Sequence, residues 1–355
     1  MRTASPSLQR APGPVAKRQK PGTIEGLFGK ASLRAPVVSE RGIRSEREVT
    51  GRRVVDLFCG LGGFSQGATR AGHTVVLGVD NWQEGLKAHR RNHPHAAHAC
   101  LKLGPETEAE LEALIHRAVP KGSEWHLHGS PPCQKLSKMK AVRPDKEGKR
   151  VDEDTKEAGL RLVCWYFQLV IRLKPTTWSF EQVVVGELRG LLQFASILYP
   201  TDFDYAVVRM ERYGVPQSRK RFIAGSPALI HRLDTDESLR EPAPIITEIL
   251  KPPPNAVYMR SSVGRSPHAG SVFRESRCGD VRPIASLCWT CTASKAHAWL
   301  DAGKYHISEF TIDDIRKLQT FDARTKLPPR RSDALRAIGN AIPPLFVAKL
   351  MGWQG

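Results

Sequence analysis

The chain is short of cysteine, of aromatic side chains and of negative charge. Seven cysteines in 355 residues are too sparse for a disulfide framework, and an odd number leaves at least one thiol free, which suits a reducing compartment. No apolar run approaches the roughly 18 to 20 residues that a bilayer span requires, and the N-terminal stretch lacks the apolar segment of a secretory signal. Together these absences predict a chain that works in an aqueous, intracellular setting. No internal repeat is found. Asp and Glu number 36 against 54 Lys and Arg, a net charge of +18, so the chain is expected to meet polyanions, nucleic acid first among them.

The excess charge is unevenly spread. Residues 1–50 hold ten basic and four acidic side chains among Pro, Ser and Gly, which predicts a flexible basic tail. From Arg53 onward, short β-branched runs alternate with helical segments, the pattern of a parallel sheet with crossover helices. Val54–Phe58, Val75–Val79, Trp125–His128, Thr177–Phe180, Tyr205–Val208 and Arg221–Ala224 are the expected strands. Helices are expected over 64–71, 83–91, 106–118 and 156–173, the third opened by a capping box between Thr107 and Glu110 and the fourth stopped at Pro175. The alternation fails after about residue 226, where 240–282, rich in Pro, Ser, Gly and Arg, reads as a small irregular insert or second domain. Helical periodicity returns over 311–320 and 344–352. The expected organisation is therefore a tail (1–50), an α/β catalytic domain with a doubly wound, mostly parallel sheet (51–226 and 306–355), and a small region (227–305) set aside for recognition.

Two turns carry chemistry. Asp56-Leu57-Phe58-Cys59-Gly60-Leu61-Gly62-Gly63 is a strand running into a glycine turn, and Asp80 closes the next strand twenty residues after Gly60. Glycines permit close backbone approach to a ligand, and a carboxylate at the second strand tip suits ribose hydroxyls. Ser65 occupies the place of the third glycine in the dinucleotide fingerprint, which argues against a pyrophosphate cofactor and against a nicotinamide-dependent dehydrogenase. The second turn, Gly129-Ser130-Pro131-Pro132-Cys133-Gln134, holds a cysteine beyond a strand end, where ligands of open α/β sheets bind. Residues 135–150 carry seven basic and two acidic side chains, a solvated charge run or a lid over phosphates.

In this order the motifs resemble those of the cytosine-5 DNA methyltransferases, enzymes that use S-adenosylmethionine and combine a Rossmann-like catalytic domain with a small target-recognition domain. Asp56–Gly63 is similar to their cofactor motif, Gly129–Gln134 to their nucleophile loop, Glu181-Gln182-Val183 to their Glu-Asn-Val motif and Gln217-Ser218-Arg219-Lys220-Arg221 to their Gln-x-Arg-x-Arg motif. Phe310–Phe321 resembles their Glu-x-x-Arg-Leu-Gln-x-Phe helix, and Ala337–Pro344 their closing Gly-Asn-x-Val-Pro-Pro motif. The resemblance covers about residues 53–353. It implies Cys133 as the thiolate that adds to carbon 6 of cytosine, Glu181 as the acid at N3 and Arg219 as the cation at O2. It further implies Phe58, Gly60, Leu61, Gly62, Asp80 and Asn340 around S-adenosylmethionine, and Gln134, Ser137, Gln217 and Arg221 toward double-stranded DNA, whose target base must flip out.

Three departures stand out. Gln182 replaces an asparagine, Ala99-Cys100-Leu101-Lys102 offers no aspartate for the adenine amino group, and Leu136 precedes Ser137 where an aromatic residue is usual. Arg260, Arg265, Arg274, Arg277 and Arg282 crowd the recognition region and suit phosphates or guanine edges. In the tail, Lys17-Arg18-Gln19-Lys20 fits a nuclear-import signal, and Thr23–Phe28 is similar to a sliding-clamp-binding peptide. Cys288-Trp289-Thr290-Cys291 reads as packing rather than zinc, because no further ligand stands at metal spacing. No metal and no membrane are expected, and the chain is expected to act as a monomer. Two other readings stay open: a tRNA cytosine-5 methyltransferase, and a DNA-binding relative that has lost catalysis.

Overall fold

The computed structural model describes residues 51–132, 153–262, 281–292, 295–301 and 306–352. The tail motifs, Cys133, Gln134, Leu136, Ser137, the basic run after Cys133 and Arg265, Arg274 and Arg277 lie outside the described residues.

Seven strands form the main sheet: β1 (Arg53–Leu57), β2 (Thr74–Asp80), β3 (Ala97–Cys100), β4 (Trp125–Gly129), β5 (Thr177–Val183), β6 (Asp204–Arg209) and, after the two-residue strand β7 (Gln217–Ser218), β8 (Lys220–Gly225). Their spatial order is β3-β2-β1-β4-β5-β8-β6. Pairing is parallel from β3 to β5, whereas β8 runs antiparallel to both β5 and β6. The doubly wound sheet expected from the sequence is thus present, and the strand order reverses between β1 and β4. Ligands of such sheets bind in the crevice outside the carboxyl ends at that switch, which is where the glycine turn after β1 and the Pro-Pro turn after β4 emerge.

Strand alternation sends β1 side chains to two cores. Val55 and Leu57 pack in one with Leu111, Ile115, Val163, Tyr166 and Phe167, from helices α3 (Glu108–Ala118) and α4 (Glu153–Leu173). Val54 packs in the other with Phe64, Ala68, Phe346, Val347 and Leu350, from α1 (Gly63–Arg70) and α10 (Pro344–Met351). Between them in sequence lie α5 (Gly186–Leu198), α6 (Pro227–Thr235) and the single turn α7 (Ile246–Ile249). All five residues of β4 are buried, as befits a central strand covered on both faces.

Several expectations are corrected. Thr107 does not cap α3 through its side chain; its hydroxyl donates to the Lys102 carbonyl at 2.7 Å, and a 3₁₀ turn over Pro105–Thr107 starts the helix. Ala97–Cys100, absent from the expected strands, is the edge strand β3, its short sequence offering little β-branched signal. The stretch expected to be irregular supplies two strands of a four-stranded antiparallel sheet, in the order β10-β9-β12-β13, whose other two lie at 295–309. In it β9 (Ala256–Ser262) pairs with β12 (Lys295–Asp301), placing Tyr258 opposite Trp299, with β10 (Val281–Arg282) on one edge and β13 (His306–Glu309) on the other. β9 pairs with β12 across more than thirty residues, so local periodicity does not disclose that pairing. Helix α8 (Ile312–Leu318) does carry a capping box: Thr311 Oγ1 accepts from the Asp314 amide at 3.1 Å, and Asp314 Oδ2 accepts from the Thr311 amide at 2.8 Å. Among the described residues no helix is long and apolar enough to cross a membrane.

The contact of α1 with α10 fixes the C-terminal helix against the sheet. A Cβ at Gly67 would run into the Val347 side chain and sit 2.5 Å from the Pro344 carbonyl oxygen. Gly67→Ala gains about 1 kcal/mol of helix propensity but meets an overpacking cost of about 1–3 kcal/mol, and the backbone carbonyl has no room to yield. A net loss of stability is expected in urea melts, and a rise would show that the α1–α10 contact is loose.

Candidate active site

The crevice at the switch point is a cavity of about 700 Å³. Phe58, Gly60 and Leu61 line it from the first turn, Asp80, Asn81 and Trp82 from the end of β2, and Ser130, Pro131 and Pro132 from the turn before Cys133. Glu181 and Gln182 enter from β5, Arg219 and Arg221 from the strand beyond, and Arg336, Gly339 and Asn340 from the C-terminal helix α9 (Arg331–Asn340). Of the residues singled out in the sequence, Phe58, Gly60, Leu61, Asp80, Asn340, Glu181, Arg219 and Arg221 meet in this one space.

The first turn is held by backbone conformations that side chains rarely adopt. Phe58 has φ 59°, Gly60 φ 51° and Gly62 φ 94°, and a non-glycine residue at positive φ is a local strain of the kind found at functional sites. Asp80 braces the turn: its two carboxylate oxygens accept from the amides of Gly60 and Trp82 at 2.8 and 2.7 Å. Burial pushes the Asp80 carboxyl up, and these amide bonds partly offset the shift. Gly62 does not line the cavity; a Cβ there would lie 2.9 Å from the His89 ring, so its role is to let the turn pack on helix α2 (Gln83–Asn92). A nucleoside-bearing cofactor fits this edge. No atom lies within 4 Å of where a Gly60 Cβ would be, Phe58 and Trp82 supply apolar surface, and Asp80 keeps acceptor capacity for hydroxyls.

The sequence does not single out Trp82 and Asn81, nor Arg336 and Thr292. Trp82 follows Asp80 by two residues, and an aromatic residue beside a ribose-binding carboxylate is the available signal. The Arg336 guanidinium lies over the Trp82 ring, 4.4 Å from its centre, an attraction between cation and ring face. The remaining lining residues come from distant segments.

Ser65, which breaks the dinucleotide fingerprint, has a role of its own. Its hydroxyl donates to Asp56 Oδ2 at 2.6 Å and meets His89 Nε2 at 2.9 Å, while His89 Nδ1 meets His98 Nε2 at 2.8 Å. Desolvation pushes the Asp56 carboxyl up to about 7 and holds His89 well below its ordinary value.

At the opposite wall, Glu181 is 6% exposed. Its Oε1 lies 3.0 Å from Arg221 Nε but 3.9 Å from Arg219 Nη2, because Arg221 and Glu181 are diagonal neighbours across the antiparallel β5–β8 pair. The two arginines, both lining the cavity, differ in their nearest partners. Arg219, 1% exposed, donates to the carbonyls of Cys291, Gly339 and Ala341 at 3.2, 3.4 and 3.0 Å, so its guanidinium is engaged in joining segments, and Arg221 is the cation paired with the carboxylate. Gln217 is engaged likewise. It is fully buried in β7, donating to the Leu318 carbonyl and to Gln319 Oε1 at 2.9 and 2.7 Å and accepting from the Cys291 amide at 3.0 Å. An amide so engaged inside the fold is a structural link, not a DNA contact.

Gln182 explains its departure from the expected asparagine. Its amide nitrogen donates to the Pro131 carbonyl at 2.9 Å, and its oxygen accepts from the Val183 amide at 2.8 Å. The longer side chain thereby ties the Pro-Pro turn that precedes Cys133 to the end of β5.

Residues 52–226 match the profile of the family described as C-5 cytosine-specific DNA methylase. The chain is 33% identical over 177 residues to Type II methyltransferase M.XorII of Xanthomonas oryzae pv. oryzae, a match covering 48% of the chain and 39% of that protein. It is 28% identical over 307 residues to M.HgiDI of Herpetosiphon aurantiacus, covering 82% and 90%, and 32% identical over 143 residues to M.HgiGI of the same organism, covering 40% and 99%. The chain thus spans about two fifths of M.XorII and nearly all of the other two. The crystal structure of the S. pombe Dnmt2 methyltransferase superposes with a TM-score of 0.59 at 14% identity, over 85% of this chain and 98% of that one, a likeness of fold.

The raised Asp56 value sets a pH dependence. With the folded carboxyl near 7 and the ordinary value 3.8, the folded state holds a proton that the unfolded state has released between those values. Stability from this group is therefore full below about pH 4 and is lost as pH rises toward 7, a change of up to about 4 kcal/mol at roughly 1.4 kcal/mol per unit. Asp56→Asn removes the titration, so the difference in unfolding free energy between wild type and variant should move in the variant's favour from pH 4 to 7. Parallel curves would contradict the burial argument.

Proposed function

The chain belongs to the C-5 cytosine-specific DNA methylases, and from that membership we propose that it methylates carbon 5 of a flipped cytosine in double-stranded DNA. The observation that carries the reading is the convergence of Glu181 and Arg221 on the same cavity as the Asp80-braced glycine turn. S-adenosylmethionine, when bound, supplies an electrophilic sulfonium methyl; Phe58, Gly60, Leu61, Trp82, Asp80 and Asn340 are the residues that would hold it.

The chain's own groups act on the base. Cys133, which follows the cavity-lining Pro132, is assigned as the nucleophile that adds to carbon 6 and makes carbon 5 electron-rich. Charge then develops on N3 and O2 of the ring. Glu181 holds a proton or hydrogen bond at N3, and Arg221 offers its guanidinium to O2 while keeping Glu181 oriented. Gln182 maintains the Pro131 carbonyl and with it the base of the nucleophile loop. Residues 227–305 are assigned to target recognition, with the antiparallel sheet as the element that meets DNA.

Localisation and partners rest on the sequence. We assign an intracellular site of action and a monomer. Nuclear import through Lys17–Lys20 and clamp docking through Thr23–Phe28 rest on the tail motifs, and the bacterial origin of the three Type II methyltransferases named above lends nuclear import no support.

Transfer of labelled methyl from S-adenosylmethionine to duplex DNA and to tRNA, run in parallel, tests the activity. Label at carbon 5 of DNA cytosine is expected, abolished in Cys133→Ala and lowered about 10²–10⁴-fold in Glu181→Gln, the usual span for a general acid. Label in tRNA alone would move the protein to the RNA branch, and none from a folded chain that binds DNA would mark a non-catalytic relative.

The two arginines should separate in the same assay. Arg221→Ala is expected to lose turnover with the smaller fall in melting temperature, whereas Arg219→Ala lowers the melting temperature further, because the Cys291 and Gly339 carbonyls lose a buried donor and the Ala341 carbonyl loses one of two. Equal thermal losses for both variants would refute the division of labour.

A further inference from the structure

The Cys288-x-x-Cys291 pair has no third ligand nearby in sequence at a familiar spacing, but the fold supplies one. Cys288 opens β11 (Cys288–Trp289), which pairs with β7, Cys291 follows two residues after its end, and His297 lies on β12 of the antiparallel sheet. All three side chains are buried, and their donor atoms lie within 4.8 Å of one another. Cys288 Sγ is 3.8 Å from His297 Nδ1. A tetrahedral ion with bonds of about 2.3 Å to sulfur and about 2.0–2.1 Å to nitrogen holds those atoms roughly 3.6 Å apart, so the protein already presents nearly the required edge. The hydroxyl of Tyr258 stands 3.0 Å from Cys288 Sγ and 2.5 Å from His297 Nδ1, and it accepts from the Trp289 amide at 3.1 Å.

We propose that Cys288, Cys291 and His297 supply three of the four ligands of one structural zinc(II) ion. Thiolate and imidazole ligands select zinc over the hard cations. Charge supports the assignment: two thiolates cancel the dication, and a neutral complex is what surroundings of Tyr258, Trp289, Trp299 and Phe310 tolerate. Binding forms two Zn–S bonds and one Zn–N bond, and the two displaced thiol protons pass to solvent. In the metal-free chain, burial pushes the Cys288 thiol up, so Cys288 waits as a neutral thiol.

The ion would act as a staple for the catalytic wall. Cys291 gives its amide to Gln217 and its carbonyl to Arg219, and Thr290 Oγ1 donates to the Ser218 carbonyl at 2.5 Å. Fixing Cys291 therefore fixes the segment that carries Gln217, Arg219 and Arg221, without the metal touching substrate.

The test uses the full chain, purified under reducing conditions with a tag that does not chelate metal. Elemental analysis is expected to find one zinc per chain after dialysis. Replacement by cobalt(II) should give the sulfur-to-cobalt charge-transfer absorption of thiolate ligation, and chelation should lower the melting temperature. Cys291→Ser and His297→Gln should lose the absorption, and Cys164→Ser, on α4, should keep it. A folded wild-type chain with reduced thiols that takes up neither zinc nor cobalt overturns the proposal, and so does a Cys288–Cys291 disulfide in the protein as isolated. The cobalt spectrum is read on wild type, so the test holds even where a variant fails to fold.

Discussion

A guanidinium withdrawn from water must find acceptors inside the protein, and Arg219 finds them in three backbone carbonyls from two distant stretches of chain. Those bonds hold the Cys291 segment and the Gly339–Ala341 turn to the strand pair that carries Glu181 and Arg221. Gln217 and Gln319 extend the lattice: Gln217 reaches Gln319, whose amide in turn donates to the Ala341 carbonyl at 2.5 Å. Charge-assisted hydrogen bonds contribute about 1.5–3 kcal/mol each, so this buried set is a stiff clamp where a turn and a helix end would otherwise fray. The cavity takes its far wall from it.

The near wall is built by a different device. Asp80 satisfies two backbone amides of a turn whose φ values are positive, and Asp56 with Ser65 and His89 fills the space beneath it. Gly63 then lets the closing segment come close: a Cβ there would collide with the Ile342 carbonyl oxygen. The C-terminal motif reaches the cofactor edge because this glycine is bare, and it stays there because Arg219 grips the preceding carbonyls. The two walls are thus one mechanical unit, although their residues are separated by most of the chain.

Division of labour between Arg219 and Arg221 follows from strand geometry. Alternate residues on a strand point to opposite faces, yet β7 ends at Ser218 and β8 begins at Lys220, so Arg219 sits in the break between them and turns inward. Arg221, on the regular strand, meets Glu181 across the sheet. The same break brings Cys288 and Cys291 beside the Glu181–Arg221 wall, where His297 from the antiparallel sheet completes the proposed ligand set.

Local pattern determined the parallel sheet, the strand ends at which chemistry occurs, and most of the residues that line the cavity, because hydrophobic alternation and glycine turns are short-range signals written in consecutive residues. It reached Asp80 in this way, whereas Phe58, Glu181 and Asn340 came from the resemblance of their motifs to those of the cytosine-5 DNA methyltransferases. It did not separate Arg219 from Arg221, since two basic residues two positions apart carry identical sequence signals and only packing decides which is enclosed. Nor did it show Gln217 as a buried link, Trp82 as a wall, the antiparallel sheet after residue 255, or His297 beside the cysteine pair. Each of these depends on how segments pack, most of them brought together across tens to hundreds of residues, and such arrangements are settled by the tertiary fold.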